Sequence, residues 1–320
     1  VSTKRILTAS LLGCLLGIAC YATWRWRESA PERRADTHLT HASASSRAAI
    51  DARLKPLSAF FARARRGTKP FASEALSWGG KWAMVQGYLP WTENDTHKKY
   101  VSEAFARHVF DPQDLQKVME GSIRDYLGDL EAVENRLLVG LRADLADLDT
   151  SGQGTPTHLQ SDEAFRKEYR LMADKVVAAT RADVGILLGR EIGTLVASEV
   201  ATQIVMQATR VMAGEMGLGA GILGTGAASA VASLGVGMVI AFVLDYVLDA
   251  VFRMAGYDPV AKISDEVKRS LDKMEAALTK EAKDAKAKPG ALRAQMLRLH
   301  DERAGLRRAT VALILEGGKK

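Results

Sequence analysis

Residues 216–244 form 29 consecutive positions without a charged side chain, and seven glycines lie between positions 217 and 237. A run of this length exceeds the ~20 apolar residues that a helix needs to cross a hydrocarbon core. Gly217 and Gly221 stand one helical turn apart, and Gly224, Ala228 and Ala232 continue the small-residue stripe. Stripes of this kind let helix backbones approach closely in lipid, where packing drives association. The segment therefore predicts a glycine-zipper transmembrane helix with its best window at 222–244. Two short helices re-entering at 233–235, or a glycine-packed buried helix, are the alternatives. Asp245 and Asp249 follow on one helical face, as a partner contact or simply as the exit from hydrocarbon.

A second apolar run lies at residues 6–22, which carry no charge over 17 positions. Lys4 and Arg5 precede it, and Tyr21, Trp24, Arg25, Trp26 and Arg27 mark its end. Amphipathic rings and guanidinium groups suit the headgroup layer. The expectation is an N-terminal membrane anchor rather than a cleaved signal peptide. Leu11, Leu12, Gly13 and Cys14 loosely resemble a lipobox, so lipidation of Cys14 is the other alternative. Cys14 and Cys20 are the only cysteines and both lie inside this run, so they cannot staple a folded domain. Val1 stands where Met is expected, which hints at a bacterial start codon or a trimmed terminus.

The fold class expected is all-α: a membrane-anchored protein with long amphipathic helices, an antiparallel helical hairpin and the glycine-rich segment. The domain reading is an anchor at 1–27, a linker at 28–58, an aromatic-rich region at 59–112, a helical hairpin at 113–215, the glycine-rich span at 216–252 and a basic helical tail at 253–320. The linker assignment rests on Pro31 and a Ser/Ala cluster. His38 and His41, three apart within it, are read as incidental, because no Cys, Asp or Glu nearby in sequence completes a zinc set. Trp78, Trp82 and Trp91 sit among Gly79, Gly80, Gly87 and Pro90, a turn-rich aromatic segment that is a candidate partner surface.

The clearest amphipathic element follows. Met119, Ile123, Tyr126, Leu130, Val133 and Leu137 are spaced 4, 3, 4, 3, 4, the heptad rhythm of a coiled-coil seam. Asp111 supplies a cap and Pro112 a first helical residue, so a helix over 113–149 would run about 50–55 Å. Gly121, Gly128 and Gly140 disfavour an isolated rod and would be tolerated where another helix comes close. Ser161 caps a second helix, whose stripe of Phe165, Tyr169, Met172 and Val176 continues toward 215. Between the two, Asp147, Asp149, Ser151 and Gly152 resemble the opening of an EF-hand loop. The twelfth position is His158 rather than a bidentate glutamate, so calcium is not expected.

Charge is segregated. Residues 253–320 hold 16 Lys or Arg against 10 Asp or Glu, while residues 30–215 hold 24 against 25. The tail is read as a solvated helical face on the cytoplasmic side rather than a nucleic-acid surface, with Leu271 and its neighbours forming one stripe. With two spans this places the middle region outside, although Arg25, Arg27, Arg33 and Arg34 against Lys4 and Arg5 favour the reverse orientation. No nucleophile elbow, phosphate loop, zinc signature or dinucleotide fingerprint occurs in its proper setting. Asp125 and Asp129 share a helix face, but an amphipathic helix accounts for them.

The function expected is a noncatalytic structural or assembly subunit of a bacterial inner-membrane complex, with a homo-oligomeric pore or transport component as the alternative. Its partners would be membrane lipid and other subunits or further copies, with a periplasmic middle region. The partner residues would be Trp78, Trp82, Trp91, Gly217, Gly221, Gly224, Ala228, Ala232, Asp245 and Asp249. No cofactor, metal or catalytic residue is expected.

Overall fold

The computed structural model describes residues 30–77, 96–148, 161–179, 196–215, 259–281 and 289–317. Within these the fold is all-α. The elements are α1 (Ala30–Arg66), α2 (Thr68–Ala75), α3 (Thr96–His108), α4 (Pro112–Leu148), α5 (Asp162–Ala179), α6 (Val196–Glu215), α7 (Pro259–Thr279) and α8 (Ala291–Gly317).

The membrane-anchored part of the expected class is corrected. Among the described residues no helix is long and apolar enough to cross a membrane. The physical reason is visible in α6, which is rich in small and aliphatic residues yet carries Glu199, Arg210 and Glu215. The apolar runs at 6–22 and 216–244 lie outside the described residues.

The coiled-coil reading of α4 is also corrected. Met119, Ile123, Tyr126, Leu130, Val133 and Leu137 are all buried, as the spacing requires. They do not form one two-helix seam. The chain divides into two compact units, and the division falls inside α1, α4 and α8. The stripe down to Leu130 belongs to one unit, and Val133 and Leu137 belong to the other, where they meet several helices at once.

Unit I comprises Val1–Ser46, Glu131–Gly189 and Asp301–Lys320. Its apolar core joins Ala35 and Ala42 of α1, Val133, Leu137, Leu138 and Leu141 of α4, Phe165 and Tyr169 of α5, and Val311 and Ile314 of α8. Residues 30–58, expected as a linker, are part of one continuous 37-residue helix. Small side chains occupy its buried stripe at Ala35, Ala42 and Ser46, so the hydrophobic periodicity is faint in the sequence. The start of α5 is capped as the sequence predicts, with Ala164 N donating to Ser161 Oγ at 3.1 Å. Along α5, Asp162 meets Arg142 and Arg166 meets Asn135. Rising numbers on α5 meet falling numbers on α4, so the two helices run antiparallel. α5 ends at Ala179, and the following described helix, α6, belongs to unit II.

Unit I also buries charge. Arg303 and Arg307 are 8% and 1% exposed, and Thr310 is fully buried. They lie one to two turns apart on α8, so all three share its inner face. Arg303 Nη1 lies 3.8 Å from Glu134 Oε1. Arg307 Nη2 donates to Ser46 Oγ at 3.5 Å, and Arg307 Nε donates to the Arg303 carbonyl at 3.2 Å. Burial pushes the Tyr169 hydroxyl above the ordinary tyrosine range; Glu134 adds to the rise, and Arg307 and Arg303 oppose it. The basic tail is therefore not uniformly a solvated face.

Unit II comprises Arg47–Leu130 and Arg190–His300. Its core is aromatic and aliphatic. Phe71 and Phe105 meet edge to face with centroids 5.4 Å apart, and Phe110 meets Phe105 at 5.3 Å and Phe60 at 5.0 Å. Such pairs contribute about 0.5–1.5 kcal/mol each beyond their area. α7 packs on α2 and on α6. It buries Ile263, Val267, Leu271, Met274 and Leu278, the one-face pattern that its sequence displays.

Two glycines in unit II hold backbones together. A Cβ on Gly67 would lie 1.7 Å from the His108 carbonyl oxygen, so only glycine fits the joint between α1 and α2. A Cβ on Gly290 would lie 2.5 Å from the Leu278 backbone, where Gly290 N donates to the Lys280 carbonyl at 2.7 Å. Arg293 secures the same turn, with Nε donating to the Thr279 carbonyl at 2.8 Å and Nη1 pairing with Asp51 at 2.7 Å. Asp111 caps α4, accepting from Gln113 N at 2.8 Å. Asp125 and Asp129 both face Arg53: Asp129 takes Nε at 2.7 Å and Nη2 at 2.8 Å, and Asp125 takes Nη1 at 3.5 Å. They are held as ion-pair partners rather than as an acid and a base. The hydrogen bond to Asp129 raises the Arg53 pKa.

Candidate ligand-binding groove

The sequence-derived partner residues cannot be placed. Trp78, Trp82, Trp91, Gly217, Gly221, Gly224, Ala228, Ala232, Asp245 and Asp249 all lie outside the described residues. So do Cys14 and residues 149–160 of the EF-hand-like stretch. Among the described residues no group of three or more His, Cys, Asp or Glu is arranged to hold a metal ion.

What the fold does assemble is a groove within unit I, between α1 and α4. It is small, with a cavity volume of about 60 Å³, and is lined by His38, His41, Ala42, Ser45, Val133, Arg136 and Leu137. The α1 residues recur at intervals of three and four, which is why one helix face presents both imidazoles and the Ser45 hydroxyl together. Ala42, Val133 and Leu137 are buried core residues, so the floor is apolar.

His38 is fixed from two sides. Its Nε2 donates to Asp144 Oδ2 at 3.0 Å. Its ring lies against Gly140, where a Cβ would approach Cε1 to 2.7 Å and Nδ1 to 3.0 Å. Of the three α4 glycines, Gly140 is the one against which another helix's side chain packs closely. Gly121 and Gly128 have open space where a side chain would stand. The carboxylate sets the tautomer, with the proton on Nε2. The ring packs over Gly140 of α4, which fixes its orientation at the edge of the groove.

The remaining polar groups meet no charged partner among the described residues. Arg136 donates Nε to the carbonyl of Ala132 at 3.3 Å, one turn back on its own helix. No carboxylate among the described residues pairs with Arg136. His41 is exposed and Ser45 half-buried, and neither is engaged in a hydrogen bond among the described residues. The groove thus combines an apolar floor with a guanidinium bonded only to a backbone carbonyl, and with an imidazole and a hydroxyl that make no hydrogen bond among the described residues.

Sequence reasoning saw His38 and His41 but not the groove. Asp144 is 106 positions from His38, and Gly140 signals nothing about an imidazole until the two helices are paired. The available signal was the continuation of Ala35, His38, Ala42 and Ser45 at helical spacing.

Comparison with known protein families, curated proteins and solved structures finds no match. The expected roles, a subunit or assembly factor of a membrane complex and a membrane pore, are accordingly corrected. They rested on spanning segments, and no described helix is one. The expected lipid and membrane-complex partners and the inner-membrane location lose the same support.

Proposed function

We propose that this chain is a noncatalytic helical binding module whose working surface is the groove between α1 and α4 in unit I. The observation that carries the reading is the set of polar groups, Arg136 without a carboxylate partner and His41 and Ser45 without a hydrogen bond among the described residues, standing over a floor of Ala42, Val133 and Leu137. Small-molecule sites combine an apolar lining with a few convergent polar groups in this way. The noncatalytic part rests on His38, whose Nε2 is held by Asp144 and whose ring is pinned against Gly140.

A ligand-detected NMR screen of neutral, cationic and anionic fragments against the full chain tests the proposal. Ser45→Phe fills the groove from a half-buried position. Fragments that bind the wild-type chain are expected to lose their saturation transfer with Ser45→Phe and to be recovered unchanged after prolonged incubation. Binding that is indifferent to Ser45→Phe overturns the groove as the working surface. Chemical conversion of a fragment that disappears with His38→Ala overturns the noncatalytic role.

A further inference from the structure

The chemistry of the groove also selects its ligand, and this step rests on the binding-module reading. We propose that the groove takes a small organic anion: a stem of a few carbons ending in a carboxylate or a phosphate. Three observations converge. Arg136 lines the groove with no carboxylate among the described residues to neutralise it. A guanidinium offers two parallel N–H groups that match both carboxylate and phosphate oxygens. His41 and Ser45 occupy successive turns of α1 and add a ring nitrogen and a hydroxyl. Asp144, which does not line the groove, is paired with His38 Nε2 at 3.0 Å.

The floor sets the other half of the ligand. Ala42, Val133 and Leu137 present no polar side-chain atom, and the small part of each left exposed, 4–5%, is apolar. A bare inorganic ion would leave that floor wet, whereas a short alkyl chain covers it and gains about 0.8 kcal/mol per buried CH₂. The small volume, about 60 Å³, admits a stem of a few carbons at most and no long acyl chain.

Isothermal titration of the full chain with hexanoate, hexyl phosphate, hexanol, hexylamine and inorganic phosphate distinguishes the possibilities. Hexanoate and hexyl phosphate are expected to bind more tightly than hexanol and hexylamine, and inorganic phosphate more weakly than hexyl phosphate. The ratio of the two anions identifies which headgroup the donors prefer. Arg136→Gln is expected to weaken either anion about fivefold while leaving hexanol unchanged, a size consistent with an exposed charge-assisted contact. Arg136 is exposed, so this variant does not disturb the core. Raising the salt concentration is expected to reproduce part of the loss by screening. Equal binding of hexanol and hexanoate, both abolished by Ser45→Phe, overturns the anion selectivity while the groove stands. Binding of the anions that survives Ser45→Phe overturns the groove itself.

Discussion

The two compact units solve the same packing problem with different residues. Unit II fills its interior with Phe60, Phe61, Phe71, Phe105 and Phe110 and with the aliphatic stripe of α7. Unit I has small and aliphatic side chains on α1 and α4 and places Arg303, Arg307, Glu134 and Tyr169 where further apolar groups would otherwise stand. An aromatic core gains stability from area and tolerates approximate fit. A core containing ions depends on each charge keeping its partner, because the desolvation cost is borne whether or not the pair forms. The difference shows along α8 alone. Its first turns bury Leu292, Met296 and Leu299 in unit II, and its later turns bury Arg303, Arg307 and Thr310 in unit I.

The largest effects should come from the two cores. Phe105→Ala is expected to destabilise by about 3–5 kcal/mol through lost burial and a cavity. Glu134→Ala should cost a similar ~3–5 kcal/mol, because it leaves the Arg303 guanidinium buried without its carboxylate. The contrast lies in rescue. Adding Arg303→Met to Glu134→Leu should restore most of the loss in chemical denaturation. If the double variant is as unstable as Glu134→Ala alone, the ion pair is not what distinguishes unit I.

Glycines sharpen the comparison at the next level. Gly67→Ala should cost about 3 kcal/mol by driving a methyl group into the His108 carbonyl. Gly121→Ala, Gly128→Ala and Gly305→Ala meet open space and should each gain about 0.5–1 kcal/mol from helix propensity. Gly140→Ala should fall about 1–2 kcal/mol short of that gain, since its Cβ displaces His38. Loss of the His38 to Asp144 hydrogen bond should be visible in imidazole ¹⁵N shifts, and unchanged shifts would remove the steric link between these residues.

Ion pairs near the surface should matter less. Asp129→Asn weakens a pair whose arginine is 37% exposed and should cost less than about 1 kcal/mol. Arg65 in the same unit is a stronger case. Burial alone would lower its pKa, but hydrogen bonds to Glu275 and Asp272 outweigh that and raise it.

The smallest effect at neutral pH becomes visible in alkali. Tyr169 has a raised folded-state pKa. Below the ordinary tyrosine value of about 10 the ring keeps its proton in both folded and unfolded chains, so it adds no pH dependence. Above that value the unfolded chain ionises first, and stability falls as pH rises toward the higher folded value. Tyr169→Phe should flatten this fall. An early 295 nm absorbance step that vanishes in the variant, without unfolding, would contradict the burial.

Much of the helical fold was legible from residues that signal locally. Asp111 with Pro112 and Ser161 set helix starts, and α4 and α7 carry stripes of large apolar side chains. α1 was illegible at its first half because its inner face uses Ala35, Ala42 and Ser46, whose burial depends on a partner helix rather than on their own hydrophobicity. Arg303 and Arg307 read as solvent-facing from sequence, since long cationic side chains are rarely buried unless paired, and Glu134 lies far away in the chain. The groove was half legible: its two histidines are adjacent in α1, but Asp144, Gly140 and Arg136 arrive from α4 only after packing.

The division of the chain has a consequence for its synthesis. Unit I draws on Val1–Ser46, Glu131–Gly189 and Asp301–Lys320. Its earliest helix leaves the ribosome long before the strip of α8 that carries Arg303 and Arg307. Unit I therefore matures only after residues 301–320 have been made, and a chain cut short before residue 301 lacks the cationic partner of Glu134, however well the remainder has formed.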